Sequence, residues 1–214
     1  MPTYNEALEN YHRQLFARED GVLSQIRAGM RDHGLPTYTI RPEEGRFLQF
    51  LVAVSGARMA LEIGTLGGYS GTWIARGLKP GGRLITVEKE PKHADLARQH
   101  FTLAGLEPVV DVRAGDAHEL LPELASEAPF DFVFLDADKE GYLAYLDWAL
   151  ENMRPGGVLA AHNAFRNGAV VEEGHSNAGT KGVQDFNQRL SEDERFLTSL
   201  YPAGDGMAIA MLKG

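Results

Sequence analysis

From Arg58 onward the chain alternates between apolar runs of strand length and longer segments that read as helices. RMALEIG, RLITVE, VVDVRAG, FDFVFLD and GGVLAAHN are the runs. Between them stand YSGTWIARGL, PKHADLARQHFTLAGL (opened by proline at its first turn), AHELLPEL and GYLAYLDWALENM. That order predicts an α/β fold, a parallel sheet covered by helices on both faces. The end differs: RFLTSLYP and MAIAMLK flank Ala203-Gly204-Asp205-Gly206, a hairpin signal, so an antiparallel hairpin closes the sheet. Before Arg58 the texture is helical. Leu8, Tyr11, Leu15 and Phe16 recur at helical spacing, as do Val22, Ile26 and Met30, until Gly34 and Pro36 break the pattern. A third helix is expected over residues 42–54, with Phe47, Leu48 and Leu51 on one face. With no repeat, low-complexity tract or linker, the 214 residues suit one domain, helices over 1–57 and sheet core over 58–214.

In such a sheet, ligands bind at the carboxyl ends of the strands, and these ends carry glycine or polar groups. Gly64 ends the first, Glu88 the second, Asp116 follows the third, Asp136 ends the fourth and His162-Asn163 the fifth. The fourth run, FDFVFLDADKEGY, drives apolar residues straight into Asp136, Asp138 and Lys139. A strand ending in solvent before a helix N-terminus that favours acids would explain that, and so would a floor for charged chemistry. EIGTLGGYSG is a glycine-rich strand-to-helix turn that lets backbone approach a ligand. Its spacing is neither G-x-G-x-x-G nor a phosphate-binding loop with lysine. Glu88, about 20 residues on, is placed to bind both hydroxyls of a ribose and to exclude the phosphate of NADP.

Composition narrows the ligand further. A net charge of −9 argues against nucleic acid, whose binding needs clustered Lys and Arg. Arg13, Arg18, Arg27, Arg31, Arg41 and Arg46 gather near the start, as a solvated helical face or as a lure for small anions. No apolar run approaches the ~20 residues of a membrane span, and the polar residues after Met1-Pro2 suggest no signal peptide. Zero cysteines exclude disulfides and thiolate metal sites and fit a cytoplasmic protein.

ALEIGTLGGYS, GDAHELLPEL, FDFVFLDADKEGY, RPGGVLAAHN and YPAGDGMAIA, in this order, resemble the small cation-dependent O-methyltransferases: the caffeoyl-CoA type, its bacterial relatives and, more distantly, catechol O-methyltransferase. The similarity runs from about Arg41 to the C-terminus. It implies a Rossmann-like, doubly wound seven-stranded sheet with an antiparallel last strand, S-adenosylmethionine as methyl donor, and a homodimer. Carried over by position, Glu62, Gly64 and Ser70 would surround the methionine end of the donor, with Ser70 on its carboxylate. Glu88 would hold the ribose, Asp116 and Ala117 the adenine, and Ile40 a backbone contact. Asp136 would lie near the sulfonium and ligate a divalent metal. The chemistry agrees: displacement at a sulfonium needs nucleophile and methyl carbon held in line, and a phenol is a poor nucleophile at neutral pH. A bound cation stabilises the oxyanion, and Lys139 is the candidate general base, or else a plain surface lysine.

One position departs from the family. Where its metal triad has a consecutive Asp-Asn, this sequence reads AAHNAF, with His162 replacing the aspartate. Asp136, His162 and Asn163 could keep a metal, with Mn, Fe, Co or Zn favoured over Mg or Ca. Alternatively His162 is the base of a metal-free enzyme, or it is structural. His12, His33, His93, His100, His118 and His175 suggest surface or capping roles, and Trp73 and Trp148 packing. The polar stretch over residues 165–182 suggests a loop covering the acceptor. The leading reading is methyl transfer to a hydroxyl of a phenolic, catecholic or CoA-linked small molecule. An NAD-dependent oxidoreductase and a non-catalytic donor-binding module are its rivals.

Overall fold

The computed structural model describes residues 5–172 and 177–214. Three N-terminal helices, α1 (Glu6–Phe16), α2 (Gly21–Asp32) and α3 (Pro42–Ser55), precede the sheet. Then β1 (Met59–Ile63), α4 (Tyr69–Gly77), β2 (Arg83–Glu88), α5 (Pro91–Leu103), β3 (Val110–Ala114) and α6 (Ala117–Leu124) follow. The second half runs β4 (Phe130–Leu135), α7 (Tyr142–Asn152), β5 (Met153–His162), α8 (Ala178–Glu192), β6 (Phe196–Tyr201) and β7 (Met207–Leu212). Caps match the sequence: the side chains of Asn5, Asp20, Asp116 and Asn177 accept first-turn amide protons.

The seven strands form one sheet in the order β3-β2-β1-β4-β5-β7-β6. β1 to β5 are parallel, and β7 enters antiparallel between β5 and β6. The terminal hairpin therefore inserts its last strand and leaves β6 at the edge. The central strands β1, β2 and β4 are buried on both faces, which is why they read as continuous apolar runs. Phe132 and Phe134 pack towards Leu48, Trp73 and Ile74 of α3 and α4, while Val133 and Leu135 pack towards Tyr142, Leu146 and Phe186 of α7 and α8. Trp73 is buried and Trp148 packs against the core, its indole N–H on Leu121 O at 2.8 Å, as packing residues should.

Three expectations change. α1 forms, yet it buries none of its residues: Tyr11 and Phe16 are 60% and 64% exposed. β5 begins at Met153, three residues before the apolar run, because Met153 still pairs with Phe130 before the register shifts. The stretch over 165–182 is not one loop. Arg166–Val171 is a 3-10 turn and α8 already begins at Ala178; His175 lies outside the described residues.

Candidate active site

Around β1 and β4 the strand order reverses, and an open sheet leaves a crevice beyond the carboxyl ends at such a point. A cleft of about 960 Å³ lies there, lined by the ends of β1, β2, β4 and β5 and by residues 38–41. Gly64 forms its floor. With φ +101°, an added Cβ would lie 2.3 Å from Asp136 O, so no other residue lets the β1 end pass so near β4.

One half of the cleft brings together most of the residues that the resemblance assigns to a donor. Glu88 accepts the Leu66 N–H at 2.7 Å and the Glu90 N–H at 2.9 Å, which fixes its carboxylate at the end of β2. Asp116 caps α6 through the His118 N–H at 2.9 Å and pairs with Lys89 at 2.8 Å. Ala117, Ile40, Gly64 and Ser70 line the same space. Glu62 stands behind the wall: it is fully buried, its oxygens taking the Ser70 and Thr86 hydroxyl protons at 2.6 Å each. Burial pushes its carboxyl up to about 8 against those hydrogen bonds. Glu62 therefore orients Ser70 and does not reach the cleft itself. No charge need be invented to line this half; the turn and three strand ends suffice.

The other half is a charge network on Asp136. Lys139 Nζ lies 3.0 Å from Asp136 Oδ1 and donates to the Tyr142 hydroxyl at 2.6 Å. Tyr142, fully buried, in turn donates towards Leu135 O and His162 O at 3.0 and 3.1 Å. Lys139 is thus held over the strand ends and is not a free surface lysine; its side chain is 10% exposed. His162 Nδ1 lies 3.2 Å from Asp136 Oδ2, an ion-pair contact without hydrogen-bond alignment. Its Nε2 meets Glu44 Oε1 at 2.9 Å. Burial would push Asp136 up, but Lys139 and His162 outweigh it and hold the carboxyl well below its usual range. Burial would push His162 down, yet Asp136 and Glu44 carry it up to about 10, an imidazolium at neutral pH.

Glu44 is the residue that sequence reasoning missed. It is 1% exposed at the first turn of α3, with Oε2 on the Arg41 N–H at 2.7 Å. An acid in a helix's first turn reads as a cap, and its partner His162 is 118 residues away. Gly204 makes room for it, since a Cβ there would lie 2.2 Å from Glu44 Oε1. A second unexpected group is Tyr145, which donates to Asp138 Oδ1 at 2.6 Å and stacks on His118 at 4.9 Å between centroids. His118 therefore lines the cleft, and His100 is buried under the glycine-rich turn with Nδ1 on Gly67 O at 2.8 Å. His93 also faces the cleft, 3.5 Å from Glu88, and His33, on Gly29 O, is a helix cap. Three of the six basic N-terminal residues form ion pairs, Arg13 with Glu9 and Glu43, Arg27 with Glu19 and Arg41 with Glu9, while Arg46 donates to Gln49 Oε1 at 2.7 Å and lies over the Trp73 ring.

Asp136, His162 and Asn163 do stand together on the cleft. As ligands for a divalent ion they do not fit. Both Asp136 oxygens face cationic side chains, both imidazole nitrogens face carboxylates, and Asn163 Nδ2 donates to Asp205 Oδ2 at 2.8 Å. Among the described residues no three His, Cys, Asp or Glu are grouped to hold a metal ion. Of the two ring nitrogens, Nε2 is taken by Glu44, while Nδ1 lies 3.2 Å from Asp136 Oδ2 without a hydrogen bond.

A family model described as O-methyltransferase matches residues 13–213. The chain is 39% identical over 215 residues to a catechol O-methyltransferase of Niastella koreensis, covering 97% of each. Its fold superposes on an O-methyltransferase of Bacillus cereus solved with S-adenosylhomocysteine, at TM-score 0.89 and 38% identity, covering 97% of both chains. It also superposes on one from Streptomyces achromogenes solved with S-adenosylmethionine, at TM-score 0.88 and 36% identity over 97% of this chain and 96% of that one. A seven-stranded sheet with its last strand antiparallel, a charged cleft at the switch point and a match over nearly the whole length converge on one conclusion: the chain belongs to the O-methyltransferase family.

Proposed function

We propose that this chain moves a methyl group from S-adenosylmethionine to a hydroxyl of a small phenolic or catecholic molecule. The observation that carries the reading is the division of one cleft. Glu88, Asp116 and Ser70 line one part of its wall, and the Asp136–Lys139–His162 network lines another. The glycine turn and Glu88 fit a nucleoside with two ribose hydroxyls, and the turn offers backbone for a charged amino-acid end. When bound, S-adenosylmethionine supplies a methyl carbon made electrophilic by a sulfonium. The acceptor oxygen bonds that carbon, the carbon–sulfur bond breaks with its electron pair left on sulfur, and the hydroxyl proton passes to Lys139 Nζ once that ammonium has released a proton to solvent. Tyr142 holds that nitrogen in place. Asp136, ionised by its cationic neighbours, lies where it can steady the sulfonium.

The whole chain works as one methyltransferase domain in a homodimer, in the cytoplasm, with no nucleic acid or membrane partner. The exposed apolar side chains of α1 together with Phe50 and Val54 of α3 favour the dimer. Among the described residues no helix is long and apolar enough to cross a membrane. Titration calorimetry with S-adenosylhomocysteine and with NAD tests the reading, paired with transfer of labelled methyl to catechol. Binding of S-adenosylhomocysteine alone is expected. Binding of NAD instead would return the chain to the oxidoreductase reading.

A further inference from the structure

We propose that the imidazole of His162, clamped between Asp136 and Glu44, stands in for the divalent cation, so that this cleft works without a bound metal and Glu44 is its positioning residue. The inference rests on the methyltransferase reading above. Its footing is geometric. A divalent site needs free lone pairs converging on one point, from oxygens or a neutral imidazole. Here Asp136 Oδ1 is 3.0 Å from Lys139 Nζ, and Asp136 Oδ2 is 3.2 Å from His162 Nδ1. The far nitrogen of the ring is taken by Glu44 at 2.9 Å. Glu44 is itself tied to the Arg41 amide at 2.7 Å and roofed by Gly204, so the ring cannot swing to present a lone pair without breaking that clamp.

Charge supplies the second argument. Two carboxylates, Asp136 and Glu44, flank the imidazole of His162 at 3.2 and 2.9 Å, and Lys139 lies 3.0 Å from Asp136, in a pocket where His162 is 7% exposed. An aspartate in place of His162 would leave three carboxylates against one lysine, an arrangement that calls for an added cation. With histidine the chain carries that positive charge itself. It sits beside Asp136 at the end of β5, where it can stabilise negative charge growing on an acceptor oxygen.

The decisive measurement is metal binding, not turnover. Chelator-treated, full-length protein is titrated with Mn(II) and followed by electron paramagnetic resonance. The wild type is expected to leave the free-ion signal unchanged up to about 1 mM, the weak end of carboxylate cation sites. His162→Asp is expected to remove the signal of one equivalent. Stoichiometric Mn(II) on the wild type, lost in Asp136→Asn, would overturn the inference. So would a His162→Asp variant as silent as the wild type, because the imidazole would then not be what excludes the ion. Glu44→Gln is expected to lower kcat for catechol about tenfold while S-adenosylhomocysteine affinity stays within about twofold, since it loosens the ring without touching the donor half. Equal falls in both would reduce Glu44 to a structural residue. S-adenosylhomocysteine binding on the same samples separates the two readings: if it is absent, the methyltransferase reading fails; if it is present beside tight Mn(II), only this inference does.

Discussion

At the scale of single residues, two substitutions test the proposed division of the cleft between binding and chemistry. Glu88→Ala should weaken S-adenosylhomocysteine binding by about 1.5–3 kcal/mol, the worth of two charge-assisted hydrogen bonds, in a calorimetric titration. Unchanged affinity would mean that the ribose is held elsewhere. Lys139→Met should leave that affinity nearly intact and cut turnover by ~10²–10⁴, the usual cost of losing a general base. Labelled-methyl transfer measured beside calorimetry distinguishes the two outcomes. Both residues were readable because each belongs to a short contiguous pattern, an acid ending the second strand and DADK ending the fourth. Glu44 was not, since nothing in Pro42-Glu43-Glu44 announces a contact with a strand end 118 residues later. The structural role of Glu62 was equally hidden. Its position in EIG pointed to the cleft, whereas its 0% exposure and two hydroxyl partners turn it inward.

At the scale of elements, the parallel strands are tied at their amino ends by Asp131, far from the chemistry. Its Oδ2 accepts the Arg58 and Met59 N–H groups at 2.7 Å each, and its Oδ1 accepts from Arg154 at the start of β5. One carboxylate thereby joins β1, β4 and β5. Burial would raise its pKa, but the Met59 amide, Arg154 and the Arg58 amide outweigh burial and lower it. A depressed folded pKa means stability that is present above the unfolded value of 3.8 and lost as pH falls through the folded one. Asp131→Asn should therefore destabilise the protein by about 1.5–3 kcal/mol near neutrality, in urea unfolding followed by circular dichroism. The gap should narrow in acid, while S-adenosylhomocysteine binding at neutral pH stays unchanged. A gap that widened below pH 4 would contradict the assigned role. The elements themselves were legible where both ends carried a signal, as with Pro91 opening α5 or Asp116 capping α6. The edge of β5 was not, because Met153-Arg154-Pro155 has no apolar run and joins the strand only through its pairing to Phe130.

At the scale of the whole molecule, α1 is the exception to a well-buried fold. Its apolar residues keep helical spacing yet stay largely uncovered by the described residues; Tyr11, Leu15 and Phe16 are about half exposed or more. A second copy would cover them, as exposed apolar patches often serve association. Phe16→Glu with Tyr11→Glu should shift the protein from dimer to monomer in analytical ultracentrifugation, with the near-ultraviolet spectrum of Trp73 and Trp148 retained. A wild type that sediments as a monomer would refute the dimer outright. Hydrophobic period, turn residues and strand-end polarity determined the sheet, its terminal hairpin and the crevice, because each is a local property of a dozen residues or fewer. Only tertiary structure decided what the imidazole of His162 does. Its charge depends on two carboxylates, Asp136 and Glu44, brought to it from 26 and 118 residues away. A histidine's state is set by what burial and neighbours do to its proton, and a one-dimensional pattern holds neither the distances nor the dielectric that settle that balance.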